Sequence, residues 1–222
     1  MTTIVMPVWG RLELVKKNLE SLSNQECQVI CVSSIDQDSN FLRELKMPNL
    51  HLCYHSNYPL GKKFQAGVDH AKMMGSDEIV ILGSDDFLSR DFVKNAHEYA
   101  QRYDFIYMTR WYMLDTRADH WYKCWYNKNQ LAAGGFPIGS GRVFSKRFLD
   151  TFGWHLYDVM ADYHLDDFAF NHRMGGEILM NPKGMEVLAI KGSHDTKNSL
   201  ERILSAHTID WTPIKNPQLF DI

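Results

Sequence analysis

The chain has 222 residues, of which 45% are hydrophobic and 23% charged. These proportions, with only 14 glycines and 7 prolines, are typical of one large globular domain with a sizeable core and exclude a disordered or fibrous protein. The formal net charge of −3 excludes a global positive field that would hold the protein on nucleic acid or anionic lipid.

Short apolar runs alternate with amphipathic helical patterns through the first 108 residues. In chain order, the patterns predict a strand at 4–8, a helix at 12–22, strands at 29–32 and 50–54, a helix at 61–74, a strand at 78–82, a helix at 92–103 and a strand at 105–108. This alternation predicts an α/β fold with a central, mostly parallel sheet flanked by helices. The ligands of such folds bind beyond the carboxyl ends of the strands.

The pattern changes in the second half of the chain. Residues 110–143 are aromatic and glycine-rich without a clear period, which predicts irregular strands and loops. Residues 191–222 are expected to form a tail packed on the domain. The remaining patterns predict short helices at 145–151 and 166–174 and a hairpin of strands 177–180 and 185–190.

The four cysteines and the distribution of apolar residues bear on the compartment. Cys27, Cys31, Cys53 and Cys124 form no Cys-x-x-Cys spacing and are expected to be reduced core residues. The first residues lack a basic segment followed by a long apolar run, and no stretch approaches the roughly 18 apolar residues of a membrane span. We therefore expect a cytoplasmic protein without an integral membrane segment.

Two adjacent carboxylates, Asp85 and Asp86, end the apolar run 79–82. They repel each other unless a cation or hydrogen bonds stabilise them. Mg²⁺ and Mn²⁺ prefer oxygen ligands, so a metal that holds a phosphate is one solution. The alternative is that Asp86 caps the following helix and Asp85 is solvated.

Aromatic and basic residues are dense between residues 102 and 128, which hold nine aromatic and five basic residues against three acids. Aromatic faces stack on sugar rings or unpaired bases, and the interleaved cations favour a phosphate-bearing acceptor. Trp111, Trp121 and Trp125 are expected to face a ligand. The alternative is that the rings fill the core and a sheet edge, and this is the expected role of Tyr103, Phe105 and Tyr107.

Several segments, in their order and spacing, resemble glycosyltransferase family 2, whose members are nucleotide-diphospho-sugar transferases of the GT-A fold. The resemblance covers roughly residues 1–180 and is carried by segments 4–11, 19–25, 60–71, 84–88, 139–142, 152–154 and 165–173. It implies a single GT-A, Rossmann-like domain over 1–222. In that domain, the nucleotide sugar is expected to bind to residues 1–108. The acceptor side is formed by residues 109–190, and the tail by residues 191–222.

The resemblance also implies a donor site and a divalent metal. It places the donor nucleotide against Pro7, Arg11, Asp36, Lys62, Ser84, Asp85 and Asp86. It implies Mn²⁺ or Mg²⁺ held by Asp85 and His194, and a diphosphate contact from Lys197. Gly83 stands where the family has its first acidic residue, so ligation would fall on Asp85. The alternatives are a solvated lysine pair at 62–63 and a lone surface histidine at 194.

On the acceptor side, the resemblance assigns acceptor binding to Gly139 and Ser140 and catalysis to Asp166 and Asp167. In the inverting mechanism it implies, Asp167 takes the proton of the acceptor hydroxyl while the metal stabilises the departing diphosphate. Asp166 stands where the family has glutamate. The alternative is that these two carboxylates cap a helix.

We therefore expect an enzyme that moves a sugar from a nucleotide-diphosphate donor to an acceptor hydroxyl. The acceptor is a glycan or a hydroxymethylated DNA base; the aromatic and basic stretch favours DNA, whereas the net charge disfavours it. One alternative, a sugar nucleotidyltransferase, requires a glycine-rich basic loop after the first strand, and 7–11 is a poor version of it. Another alternative is a noncatalytic glycan- or nucleotide-sugar-binding module.

Overall fold

The structure is a computed structural model and describes residues 1–127, 139–160, 176–192 and 199–222. The first half contains β1 (Thr2–Pro7), α1 (Leu12–Leu22), β2 (Cys27–Ser33), α2 (Asp36–Glu44), β3 (Leu50–Tyr54), α3 (Leu60–Met73), β4 (Glu78–Ile81), β5 (Asp86–Leu88), α4 (Phe92–Ala100) and β6 (Phe105–Tyr107). The second half contains β7 (Arg110–Asp115), β8 (His120–Tyr126), β9 (Arg142–Ser145), α5 (Lys146–Thr151), β10 (Ile178–Met180), β11 (Val187–Lys191), α6 (Leu200–Leu204) and β12 (Ile209–Ile214).

A seven-stranded sheet runs through the molecule in the order β10-β6-β9-β4-β1-β2-β3. Strands β3, β2, β1 and β4 are parallel neighbours, β10 is parallel to β6, and β9 is antiparallel to both β4 and β6. The mostly parallel sheet and the elements expected before residue 108 are confirmed, with ends that differ by up to three residues. Helix α2 was not expected, because its sequence is polar except for a few positions.

The core lies on both faces of this sheet, because side chains alternate along each strand. In β1, Ile4 and Met6 belong to one apolar cluster and Val5 belongs to the other. Gly67 lets α3 approach closely: a Cβ atom there would lie 2.4 Å from Val5 Cγ1 and 2.9 Å from Val32 Cγ2. The glycine is therefore required by packing of the helix on the sheet.

A second sheet, which the sequence patterns did not predict, has five strands in the order β12-β8-β7-β11-β5. Strands β7 and β8 form a regular antiparallel hairpin, so the expectation of irregular structure from residue 110 is wrong for 110–126. Strand β11 is parallel to β7 and antiparallel to β5, and β12 is antiparallel to β8. The sheet thus gathers strands that are far apart in the chain.

The hairpin expected around residues 181–184 is also wrong. Strand β10 pairs with β6 in the seven-stranded sheet, whereas β11 joins the five-stranded sheet. Asn181 turns the chain between them: it has a φ of 51° and its side chain exchanges hydrogen bonds of 2.9 and 2.8 Å with Thr109. This anchor directs the chain away from β10, so the two strands cannot pair with each other.

The remaining expectations concern the cysteines, the chain end and the membrane. All four cysteines are free, as expected; Cys27, Cys31 and Cys124 are buried, whereas Cys53 is half-buried. Burial raises the pKa of the three buried thiols to about 12. The last residues hold α6 and β12, and Phe220 is buried. Helix 145–151 is confirmed as α5, whereas 166–174 lies outside the described residues. Among the described helices, none has the length and apolarity needed to cross a membrane.

Candidate functional site

The loops that follow the parallel strands meet at one edge of the seven-stranded sheet, as the parallel topology requires. The Val8 amide donates to the Val32 carbonyl at 2.9 Å, and the Leu82 amide donates to the Val5 carbonyl at 3.0 Å. These bonds continue the sheet just past the strand ends. They bring the loop after β1 next to the segment that carries Asp85 and Asp86.

The two adjacent carboxylates face different partners. Oδ2 of Asp85 lies 2.8 Å from Nη1 of Arg11 and 3.4 Å from Nζ of Lys191. The Asp86 carboxylate instead accepts a hydrogen bond from Ser140, and the Ser140 hydroxyl accepts one from the Gly83 amide at 2.8 Å. Cations and hydrogen bonds therefore stabilise the pair, as its sequence requires.

Asp86 is part of a strand, and it does not begin a helix. It is the first residue of β5, and the next helix, α4, begins at Phe92, so the interpretation of Asp86 as a helix cap is wrong. Burial, and secondarily the neighbouring Asp85, raise the pKa of Asp86 to about 6, although Lys191, Ser140 and Arg11 favour its ionised form.

Gly83 is fixed by its neighbours. A Cβ atom at this position would lie 2.4 Å from Asp86 Oδ2 and 3.1 Å from Ser140 Oγ. An acidic side chain there would displace the Asp86 carboxylate from its bond with Ser140. A side chain at position 83 is therefore incompatible with this arrangement of Asp86 and Ser140.

Arg11 is held in an unusual backbone conformation. Gly10 and Arg11 both have positive φ, 65° and 51°, and the Arg11 carbonyl accepts the first amides of α1, from Leu14 and Val15. A left-handed conformation is unfavourable for a residue with a side chain. It aims the guanidinium across the strand ends, where Nη2 lies 3.4 Å from Ser84 Oγ. The predicted trio of Arg11, Ser84 and Asp85 is thus brought together.

The predicted donor residues at 36 and 62 are exposed, and their close neighbours contact the loop instead. Asp38, 1% exposed, accepts the Gly10 amide at 3.1 Å. Lys63, also 1% exposed, donates to the Val8 carbonyl at 2.5 Å and to Asn57 Oδ1 at 2.9 Å. Burial lowers the pKa of Lys63 to about 8, and Asp38 partly opposes this shift.

The Asp38 and Lys63 bonds hold a short loop that presents an aromatic ring. Asp38 fixes the amide of Gly10 and Lys63 fixes the carbonyl of Val8, while Trp9 between them is 59% exposed. Pro7, predicted as a donor residue, is the half-buried last residue of β1. Helical periodicity of α2, which buries Asp38, Ser39 and Leu42 together, is the signal that distinguishes Asp38 from Asp36.

The sequence patterns did not identify Lys191 as a site residue. It is the last residue of β11, its side chain is 7% exposed, and its Nζ atom approaches Asp85. The available signal was a lysine that ends a buried apolar strand. The late residues predicted for this region, His194 and Lys197, lie outside the described residues, as do Asp166 and Asp167.

The expected acceptor tryptophans take different positions. Trp111 and Trp121 are only 7% and 6% exposed and belong to two apolar clusters, so the expectation that they face a ligand is wrong. The reason is that β7 and β8 form a regular hairpin in which β7 is buried on both faces and Trp121 is one of the two buried residues of β8. Trp125 is half-buried, Gly139 is exposed, and Ser140 belongs to the Asp86 network.

The described residues hold only part of the expected Mn²⁺ or Mg²⁺ site, because Asp85 lies among them and His194 does not. They contain no group of three or more His, Cys, Asp or Glu side chains that could hold a metal ion. The available carboxylate, Asp85, already has two cationic side chains within 3.4 Å. A hard divalent cation needs oxygen ligands and is repelled by such neighbours.

Comparisons with known proteins agree with this fold. The sequence profile of Glycosyl transferase family 2 matches residues 3–165. Among solved structures, Staphylococcus aureus TarS residues 1–349 with UDP is 14% identical, covers 85% of this chain and 60% of its own, and has a TM-score of 0.62. The same TarS fragment with UDP-GlcNAc is also 14% identical, with coverages of 86% and 58% and a TM-score of 0.58.

A third structure has a length closer to that of this chain. It is a putative nucleotide-diphospho-sugar transferase from Desulfovibrio desulfuricans G20, which is 18% identical, covers 90% of each chain and has a TM-score of 0.52. This chain spans about 60% of the TarS fragments that it resembles. No curated protein matches the sequence.

Proposed function

The chain belongs to glycosyltransferase family 2 and is a GT-A type glycosyltransferase, and from this premise we propose that its donor site lies at the carboxyl edge of the seven-stranded sheet. The observation that carries this proposal is the convergence of Arg11, Ser84 and Asp85 beside the loop that contains Trp9. A diphosphate would lie against Arg11 and Ser84, and the nucleobase would lie against the loop.

The loop after β1 suits a nucleobase. The exposed Trp9 ring offers a face on which a base can stack, and the Asp38 and Lys63 bonds on either side of it hold the backbone in place. Both buried residues act on the ligand through the loop, so we assign them as positioning residues. TarS structures contain UDP and UDP-GlcNAc, which makes these the first ligands to test here.

The transfer itself follows from the chemistry of inversion. The oxygen of an acceptor hydroxyl attacks the anomeric carbon, a new carbon–oxygen bond forms, and the bond to the diphosphate breaks with its electron pair leaving on the diphosphate. The hydroxyl proton passes to a carboxylate, for which we propose Asp167, with Asp166 beside it in sequence. Ser140 contributes by holding Asp86 beneath the donor.

The acceptor that we propose is a hydroxyl of a glycan. The hydroxymethylated DNA base was favoured by the aromatic and basic stretch, and that argument loses force because Trp111 and Trp121 are buried. The nucleotidyltransferase and the noncatalytic module are disfavoured by the family match over residues 3–165.

A thermal-shift panel of UDP, GDP, CDP and dTDP tests the donor site. A nucleotide at about 100 times its Kd should raise the free energy of unfolding by roughly 2.7 kcal/mol. Asp38→Asn should weaken this effect, whereas Asp36→Asn, the matched control on the exposed face of α2, should not. No stabilisation by any of the four nucleotides would refute the proposed donor site.

A second experiment separates catalysis from donor binding. Asp167→Asn should abolish sugar transfer and leave the nucleotide-induced shift in Tm unchanged, because it removes the base and no donor contact. Loss of binding with loss of turnover would instead place Asp167 in the donor site.

A further inference from the structure

Resting on the proposed function, we propose that Arg11 and Lys191 together bind the donor diphosphate directly, in place of a divalent metal. In this arrangement Asp85 is the counter-ion that holds the two cations together when no donor is bound. The inference adds a residue, Lys191, that no motif indicated, and it changes the role of Asp85 from metal ligand to counter-ion.

The position of Lys191 is fixed by the second sheet. Its carbonyl accepts hydrogen bonds from the Thr116 amide at 2.9 Å and the Thr116 hydroxyl at 3.1 Å. The neighbouring Ile190 amide donates to the Asp85 carbonyl at 3.0 Å. The backbones of Lys191 and Asp85 are therefore tied to each other, and the ammonium is held at the strand ends of the other sheet.

Among the described residues, the carboxylate that pairs with the Lys191 ammonium is one that it shares with Arg11. A buried cation is unfavourable unless it is closely paired, yet this side chain is 7% exposed and lies 3.4 Å from a carboxylate that Arg11 approaches more closely, at 2.8 Å. An anion with several oxygens that entered here would supply the missing contacts. A diphosphate has both the charge and the number of acceptors.

Arg11 is suited to the same ligand. Its guanidinium contacts Asp85 through Nη1 and Ser84 through Nη2, one atom each, and its side chain is 28% exposed. A guanidinium presents five N–H donors in a planar fork that matches phosphate oxygens. The left-handed backbone at residue 11 is the strained feature that aims this fork at the strand ends.

Two carboxylates, Asp85 and Asp86, lie near this pair of cations. Asp86 is occupied by Ser140, and Gly83 excludes a further acidic side chain because its Cβ atom would collide with Asp86. Among the described residues, Asp85 is the carboxylate that forms ion pairs with both cations. Arg11 and Lys191 are the groups of this site that attract an anion, and both repel Mn²⁺ or Mg²⁺.

The decisive variants change affinity in opposite directions under the two hypotheses. If Arg11 and Lys191 bind the diphosphate, Asp85→Asn removes a competing anion and should leave nucleoside diphosphate affinity unchanged or several-fold tighter. If Asp85 holds a metal, Asp85→Asn should abolish metal-supported binding. Arg11→Gln and Lys191→Gln should each weaken the diphosphate about tenfold or more and change the affinity for the matching monophosphate by about twofold or less.

The experiment is calorimetric titration of the nucleoside diphosphate selected by the thermal-shift panel, and of its monophosphate, in EDTA and in Mn²⁺. Lys191→Arg keeps the charge and should keep the preference for the diphosphate, whereas Arg90→Gln and Lys146→Gln, at exposed ion pairs elsewhere, are the matched controls. Arg11→Gln, on a partly exposed loop, decides the matter if Lys191→Gln fails to fold.

Binding of the diphosphate in EDTA, with the losses predicted for the two glutamine variants, would support the inference. Binding that requires Mn²⁺ and disappears in Asp85→Asn would overturn it and leave the donor site intact. Absence of nucleotide binding under every condition would overturn the donor site itself, and with it the inference.

Discussion

The two sheets use their side chains in opposite ways. The seven-stranded sheet ends in loops where charged groups meet, and Arg11, Asp85 and Lys63 all carry contacts there. In the five-stranded sheet, by contrast, aromatic rings pack in the core, and Trp111 and Trp121 are buried. We infer that a high density of aromatic residues in this chain indicates a core, whereas the residues that would bind a ligand lie at the ends of the parallel strands. Lys191 connects the two, because it belongs to one sheet and reaches the other.

The largest effect should come from the aromatic core of the five-stranded sheet. Trp121→Ala removes a ring that is 6% exposed and should lower the free energy of unfolding by about 3–5 kcal/mol, because it leaves a cavity. Trp125→Ala, at a half-buried ring of the same strand, should cost less than half as much. Urea denaturation measures both, and a Trp121→Ala variant of normal stability but impaired transfer would restore Trp121 as an acceptor residue.

The next effect tests the crowded end of the seven-stranded sheet. Gly83→Ala places a methyl group 2.4 Å from Asp86 Oδ2 and should lower the free energy of unfolding by about 1–3 kcal/mol, because side chains must move. The matched control is Gly139→Ala, whose Cβ atom has nothing within 4 Å and should be neutral or slightly stabilising. Equal stabilities of the two variants in urea would contradict the crowding.

A smaller effect concerns protonation at the same sheet end. The pKa of Asp86 is raised from 3.8 to about 6 in the fold, so the folded protein binds its proton more tightly than the unfolded chain does. Stability relative to Asp86→Asn should therefore increase as the pH falls from 7 to 5, by roughly 1 kcal/mol. Parallel pH profiles of the wild type and Asp86→Asn in denaturant titrations would show that the fold leaves this carboxyl unperturbed.

The smallest effect should come from charges far from the strand ends. Arg90 pairs with Asp221 at 2.6 Å, but both side chains are about half exposed, 56% and 45%. Arg90→Gln should change the free energy of unfolding by less than about 1 kcal/mol, because solvent screens such pairs. A larger loss of unfolding free energy in urea denaturation would mean that this exposed ion pair contributes as much stability as the charged groups at the strand ends.

The first half of the fold could be predicted because its elements are local. Strands such as 50–54 and helices such as 12–22 carry their period within a dozen residues, and parallel order follows from their alternation. The five-stranded sheet could not be predicted, because β5, β11 and β12 pair with partners that are far away in the chain. Its hairpin was also obscured, since apolar residues on both faces hide the two-residue alternation of a strand.

Site residues that directly follow the parallel strands could be predicted from their position in the chain. Site residues on helices could not be predicted as well, because their role depends on which side of the helix faces the site. Asp85, Ser84 and Arg11 follow strands whose ends must meet, so their proximity was expected. The choice between Asp36 and Asp38, or between Lys62 and Lys63, depends on which side of a helix faces the loop. Lys191 reaches the site only through the pairing of β11 with β5, which no local pattern reveals.

The pairing of β12 with β8 has a consequence for the time course of synthesis. Ile209 pairs with Tyr126, so β8 receives this partner only after more than 80 further residues have been added. At the usual rate of translation this interval is roughly 4 to 17 s. For that time an aromatic strand edge is unpaired on the ribosome, where it can associate with other nascent chains. Less aggregation when a chaperone is present during synthesis is what this delay predicts for production of the protein.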